Sequence, residues 1–149
     1  GLGVEREFCP HLVPALEKLE AELREKGWLG TAASITRTGG FLPAGTVAKT
    51  VAKRVLLAGD AAGQTDPISG AGIAPAVVCG RIAGRRAAQA VREDSEAPLA
   101  GYPSEWQALF GPALRRGEER RRRLREDCRA GKPLARLRQC WVAFPEYYQ

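Results

Sequence analysis

One stretch restricts the fold more than any other. Residues 54–84 read RVLLAGDAAGQTDPISGAGIAPAVVCGRIAG. Val55-Leu56-Leu57-Ala58 is a short continuous apolar run closed by Gly59-Asp60. Such a run, bounded by turn residues, predicts a strand buried on both faces, as in a parallel sheet. Asp60 would then stand at the carboxyl end of that strand, the edge at which open α/β sheets take up ligands. A glycine-rich connection follows, where a ligand can approach the backbone closely. Gly70-Ala71-Gly72 opens an alanine-rich helical pattern running to about Arg92. The first amides of a helix lack internal partners and carry the positive end of its dipole, which suits an anionic or electron-rich group.

That helix places Gly72, Ala76, Gly80 and Gly84 at four-residue steps. A row with so little side-chain volume lets a backbone or a flat ligand lie near the helix axis. By itself it is equally a helix packed tightly on a neighbour. Gly70-Ala71-Gly72 continues to Pro75, so the third glycine of a G-x-G-x-x-G fingerprint is missing. Cys79 lies within the helix and reads as packing.

Around this centre the pattern is mainly helical. Leu12, Val13, Leu16, Leu19 and Leu23 recur at three- and four-residue steps and predict a helix over 12–26, with Gly27 as its stop. Residues 28–35 suit a strand. Residues 104–129 form a long helical pattern with an expected break near Gly111-Pro112, stopped at Gly131-Lys132-Pro133. A short helix is expected over 134–143. The organisation follows as 1–50, 51–97 and 98–149.

The formal net charge is +6, and the sequence concentrates it in residues 102–149. Arg115 to Arg129 carries eight arginines and four acids. A solvated helix laced by Glu118–Arg122 and Glu119–Arg123 pairs accounts for it. A surface for anionic lipid head groups is the sharper alternative. No nucleic-acid-reading motif accompanies the arginines. Cys9, Cys79, Cys128 and Cys140 form no CxxC pair, and a lone His11 completes no zinc set, so no metal is expected. Free thiols fit a reducing, cytoplasmic setting, and no apolar run approaches the roughly 18 residues of a membrane span.

Taken together, Gly59-Asp60-Ala61-Ala62-Gly63, Asp66-Pro67 and Gly70-Ala71-Gly72-Ile73 resemble the second FAD fingerprint of the para-hydroxybenzoate-hydroxylase-like flavoproteins. GDAAGQTDPISGAGI is most similar to the geranylgeranyl reductase family within that group. Gly39-Gly40-Phe41-Leu42-Pro43 resembles the GGxxP stretch that family carries before this segment. Gly1-Leu2-Gly3-Val4 resembles the end of its GxG substrate motif, which makes Gly1 and Gly3 substrate candidates. The resemblance implies an α/β fold, the C-terminal part of a two-domain, glutathione-reductase-like FAD-binding fold with a helical tail. Residues 1–50 would end a substrate domain, 51–97 would hold the second FAD motif, and 98–149 would form a basic helical region.

By the same resemblance FAD is the cofactor, held at Gly59, Asp60, Ala61, Ala62, Gly63, Pro67, Gly70, Ala71, Gly72 and Ile73. Asp60 would bond a ribityl hydroxyl, Pro67 would border the flavin ring, and the Gly70–Ile73 amides would face its pyrimidine edge. The substrate would be an isoprenoid lipid whose carbon–carbon double bonds are reduced, with NAD(P)H or another donor supplying electrons. Peripheral membrane contact fits such a substrate. A chain that starts at Gly1, contains no methionine and lacks the first dinucleotide fingerprint reads as the C-terminal piece of such an enzyme, inactive alone, with its catalytic residues elsewhere. A flavin monooxygenase or halogenase of the same fold is one alternative. A non-catalytic basic binding module is the other.

Overall fold

Leu12–Glu25 is α-helical (α1), as its spacing predicts, and it ends for a geometric reason. Gly27 takes φ +71°, and the Gly27 and Trp28 amides turn back to the Arg24 and Leu23 carbonyls at 2.9 Å each. This double closure satisfies the last carbonyls of the helix and needs a residue that tolerates a left-handed backbone. A computed structural model of the chain describes residues 2–30 and 36–149. Two units emerge, residues 1–40 and 41–149. In the first, Arg37 pairs with Glu17 at 3.2 Å and with Glu20 at 3.6 Å. The strand expected over 28–35 is not formed at 28–30, because the Trp28 and Leu29 amides both close on the Leu23 carbonyl. Its remaining residues, 31–35, lie outside the described ones, as does Gly1.

The second unit corrects the expectation of a parallel strand. Val51–Ala52 (β1) and Val55–Leu56 (β2) pair as an antiparallel hairpin with Val51 opposite Leu56 and Ala52 opposite Val55. Lys53, at φ +49°, and Arg54 make the two-residue turn. A tight turn of this kind pairs the apolar run with the residues just before it rather than with a distant strand. One face, Val51 and Leu56, joins the core, while Val55 remains 58% exposed. The described residues are therefore mostly helical with one two-stranded sheet.

The helix predicted from Gly72 runs over Ile73–Arg92 (α2). After a 3-10 turn at Ala97–Gly101, Tyr102–Arg129 forms a single 28-residue helix (α3). The expected break at Gly111-Pro112 is absent. Pro112 leaves the Ala108 carbonyl without its helical donor, but both residues are exposed, so water can take that carbonyl. Gly131, at φ +70°, ends α3 as Gly27 ends α1, through the Gly131 and Lys132 amides on the Cys128 and Asp127 carbonyls. The last α-helix is only Leu137–Cys140 (α4), because Trp141 is already extended, and a 3-10 turn at Pro145–Tyr148 follows it.

Cys79 and Ile82 of α2 pack with Tyr102, Trp106 and Leu114 of α3, and the hairpin residues Val51 and Leu56 close this core. The Trp106 indole N–H donates to Thr50 Oγ1 at 3.1 Å and ties α3 to the strand edge. Cys79 is a packing residue, and burial pushes its thiol pKa up.

A polar clasp holds the C-terminal turn. Arg136 reaches Asp127 with Nη2 at 2.6 Å and Nε at 3.0 Å. The guanidinium, as hydrogen-bond donor first and as charge second, holds the Asp127 carboxyl below its ordinary range. A carboxyl lowered on folding contributes stability above its unfolded pKa, about 3.9, and loses it as pH falls through the folded value. Asp127→Asn should therefore lower the melting temperature at pH 7, and the gap from the parent should close when melts are repeated below about pH 4.

Candidate functional site

The segment from Gly59 to Ile73 forms a turn folded against the start of α2. Gly59–Ala62 is a 3-10 turn, and Gly63, at φ +64°, reverses the chain. An added Cβ at Gly63 would lie 2.1 Å from the Gly45 carbonyl oxygen, so only glycine fits this contact. Gln64 is fully buried. Its Oε1 accepts the Gly59 amide at 2.8 Å, and its Nε2 donates to the Tyr102 hydroxyl at 3.2 Å. That hydroxyl donates to the Leu57 carbonyl at 2.7 Å. Burial pushes the Tyr102 pKa up, which keeps the phenol protonated and able to donate.

The next residues are fixed by Asp66. Its Oδ1 accepts the Ile68 and Ser69 amides at 3.1 and 2.7 Å and the Ser69 hydroxyl at 2.8 Å. The Gly70 amide closes on the Asp66 carbonyl at 2.9 Å, and the Asp66 amide donates to the Ala71 carbonyl at 3.0 Å. The loop is thereby a rigid lead into α2. Helix α3 braces it from behind. Pro67 is buried where a Cβ on Gly117 would meet its Cδ at 2.7 Å, and Arg121 Nη1 donates to the Pro67 carbonyl at 2.9 Å.

These supports bring Asp60 to the start of α2. Thr65 donates its hydroxyl to Asp60 Oδ1. A Cβ on Gly72 would lie 2.9 Å from Thr65 Oγ1 and 3.0 Å from Asp60 Oδ1. Gly72 is the N-cap of α2, and among the described residues no side chain caps that end. A carboxylate acceptor and the amide end of a 20-residue helix thus form one corner. Asp60, Ala61, Ala71 and Ile73 are exposed there, with Gly70 and Gly72 half-buried. Gly59, Ala62, Gly63 and Pro67 are buried and shape the corner from beneath. Gly3 belongs to the other unit.

The small-residue row on α2 divides in two. Gly72 admits Asp60 and Thr65, and Ala76 faces Gly59, where an added Cβ would sit 3.1 Å from the Ala76 Cβ. Gly80 and Gly84 face open space. Gln64, Thr65 and Tyr102, which hold the corner together, carry no mark of that role in the sequence. Gln64 and Thr65 sit inside the motif, but nothing local distinguishes them from loop residues. Tyr102, 38 residues after Gln64, leaves no sequence signal at all.

The corner's parts suit different ends of one polar ligand, since Asp60 accepts hydrogen bonds and the helix amides donate them. Comparison with known proteins identifies the kin of this chain. Digeranylgeranylglycerophospholipid reductase 2 of Methanothermobacter thermautotrophicus is 36% identical over 120 residues, 78% of this chain and 30% of the relative. Digeranylgeranylglycerophospholipid reductase of Methanococcus aeolicus is 43% identical over 97 residues, 63% of this chain and 25% of its own length. Digeranylgeranylglycerophospholipid reductase 2 of Methanopyrus kandleri is 42% identical over 79 residues, 52% of this chain and 20% of its own. The chain is thus a homologue of geranylgeranyl reductases, as residues 59–73 implied, and it spans 20–30% of the length of these relatives. No protein-family model matches it, and no solved structure does.

The contacts at the glycines predict opposite outcomes for two similar substitutions. Gly63→Ala should cost about 2 kcal/mol or more, from a strained positive φ and a backbone clash. Gly80→Ala, in open helical space, should gain about 0.5–1 kcal/mol. Urea unfolding of both variants beside the parent measures the contrast.

Proposed function

We propose that this chain supplies the flavin-facing corner of an FAD-dependent reductase that saturates carbon–carbon double bonds of a geranylgeranyl phospholipid. The observation that carries the reading is the meeting of Asp60 with the open start of α2 at Gly72. The names of the homologous proteins favour reduction over the hydroxylase and halogenase readings, and over a non-catalytic basic module.

In this reading Asp60 accepts a hydrogen bond from a ribityl hydroxyl, and Thr65 orients the carboxylate by donating to its Oδ1. The start of α2 at Gly72 and Ile73 borders the pyrimidine edge of the ring, the Gly70 and Ala71 amides being spent within the loop on the Asp66 carbonyl and the Ser69 hydroxyl. When bound, FAD supplies the hydride, with electrons arriving from NAD(P)H or another donor. The residues of this chain contribute a fixed field. Helix amides stabilise negative charge without a side chain that must titrate, and the bracing by Gln64, Asp66 and α3 spares reorganisation during turnover. Gly72 is small because Asp60 and Thr65 occupy the volume that a side chain would need.

A chimera provides the test. The aligned segment of the Methanothermobacter relative is replaced by that of this chain, and the product is assayed for bound FAD and for loss of double bonds from digeranylgeranylglycerophospholipid. The chimera should retain flavin and reduce the lipid, and Asp60→Ala within it should lower flavin occupancy at least about tenfold, the loss of one or two charge-assisted hydrogen bonds. A folded chimera that holds no FAD, or whose flavin content ignores Asp60→Ala, would overturn the reading.

A further inference from the structure

The arginines of α3 are largely committed within the molecule. Arg120 donates to the Tyr147 carbonyl at 3.5 Å and Arg121 to that of Pro67 at 2.9 Å. Arg122 pairs with Glu126 at 3.4 Å, and Arg123 with Glu119. Of the two helical pairs expected, Glu119–Arg123 forms. Glu118 instead turns inward to accept the Thr46 amide at 3.0 Å.

Positive charge is left in surplus elsewhere. A groove between α2 and α3 is lined by Val78, Arg81, Ile82 and Arg85 on one side and Glu105 and Leu109 on the other. Glu105 is claimed by two guanidiniums, Arg85 and Arg86, with Arg86 Nε at 2.6 Å. Arg81 is exposed and has no acidic partner among the described residues. The groove thus holds the guanidiniums of Arg81 and Arg85 beside one carboxylate, which is itself shared with Arg86. Beside them lie apolar groups in water. Leu109 is 59% exposed, and Val77, one turn back along α2, is 58% exposed. The groove starts about 8–12 Å along the α2 axis from Gly72, at 1.5 Å per residue, so it is separate from the Asp60 corner.

We propose that this groove seats the head group of an anionic phospholipid at a bilayer surface, with Arg81 and Arg85 on the phosphate and Leu109 and Val77 in the acyl boundary. A bare soluble anion would use the arginines but leave the apolar rim exposed. A lipid phosphate satisfies both, because guanidinium charge and apolar side chains side by side match the head-group boundary. The site does not depend on the flavin reading, since none of its residues belongs to that corner.

Flotation of the 149-residue chain with vesicles tests it, using phosphatidylcholine alone or with 30% phosphatidylglycerol. Binding should require the anionic lipid. Arg81→Glu, at an exposed residue with no acidic partner among the described residues, should weaken it roughly tenfold or more, and Leu109→Gln should weaken it severalfold at unchanged charge. Arg116→Glu on exposed α3 makes the same charge change away from the groove and should have a clearly smaller effect. Equal losses from Arg81→Glu and Arg116→Glu would show diffuse attraction and overturn the proposal. So would indifference to Leu109→Gln, or displacement from the vesicles by inorganic phosphate but not by chloride of matched ionic strength.

Discussion

The second unit is organised around one buried amide. Gln64 accepts the amide of Gly59, five residues before it, and donates to Tyr102, on a helix that begins 38 residues later. Tyr102 in turn donates to Leu57 at the end of the hairpin. Gly59, Gln64 and Tyr102 are buried, so each needs its partner, and an unmade bond here would cost about 1–3 kcal/mol. The arrangement works only if the hairpin, the glycine-rich turn and α3 are in place together. Local turn geometry is thereby made conditional on tertiary structure.

Glycine supplies the complementary requirement. At Gly63 the backbone runs against Gly45, and at Gly117 helix α3 comes down on Pro67. These close approaches let a long basic helix and a short loop pack without a layer of side chains between them. Dispersion contacts and the Arg121–Pro67 hydrogen bond then hold the loop from behind, leaving its outer rim, Asp60 to Ala61 and Ala71 to Ile73, to face outward. In the proposed flavin site a rigid, pre-shaped rim would spare affinity, because ordering the site on binding would otherwise consume it.

Charge follows the same economy. The arginine run near the C-terminal end of α3 looks from the sequence like a free basic surface. In the fold its members cap carbonyls and pair with neighbouring carboxylates, and Arg136 clasps Asp127. Net charge counts residues, whereas an available field depends on which of them already have partners. The surplus in the α2–α3 groove arises because α2 presents Arg81 and Arg85 there, while the one glutamate α3 contributes is shared with Arg86.

Residue order alone was enough to place α1, α2 and α3, because helical periodicity and glycine stops are local properties, and Gly27 and Gly131 perform as such stops. It also singled out Asp60 and Gly72, twelve residues apart, as parts of one motif. What it could not determine was the pairing of Val55–Leu56. A short apolar run suits a central parallel strand and one arm of a hairpin equally, and the Lys53-Arg54 turn with the core contacts of Val51 and Leu56 selected the hairpin. Only the tertiary structure brought Tyr102 to Gln64, Gly117 to Pro67 and Glu118 to Thr46, since contacts across 38, 50 and 72 residues depend on how helices pack and leave no periodic trace in the chain.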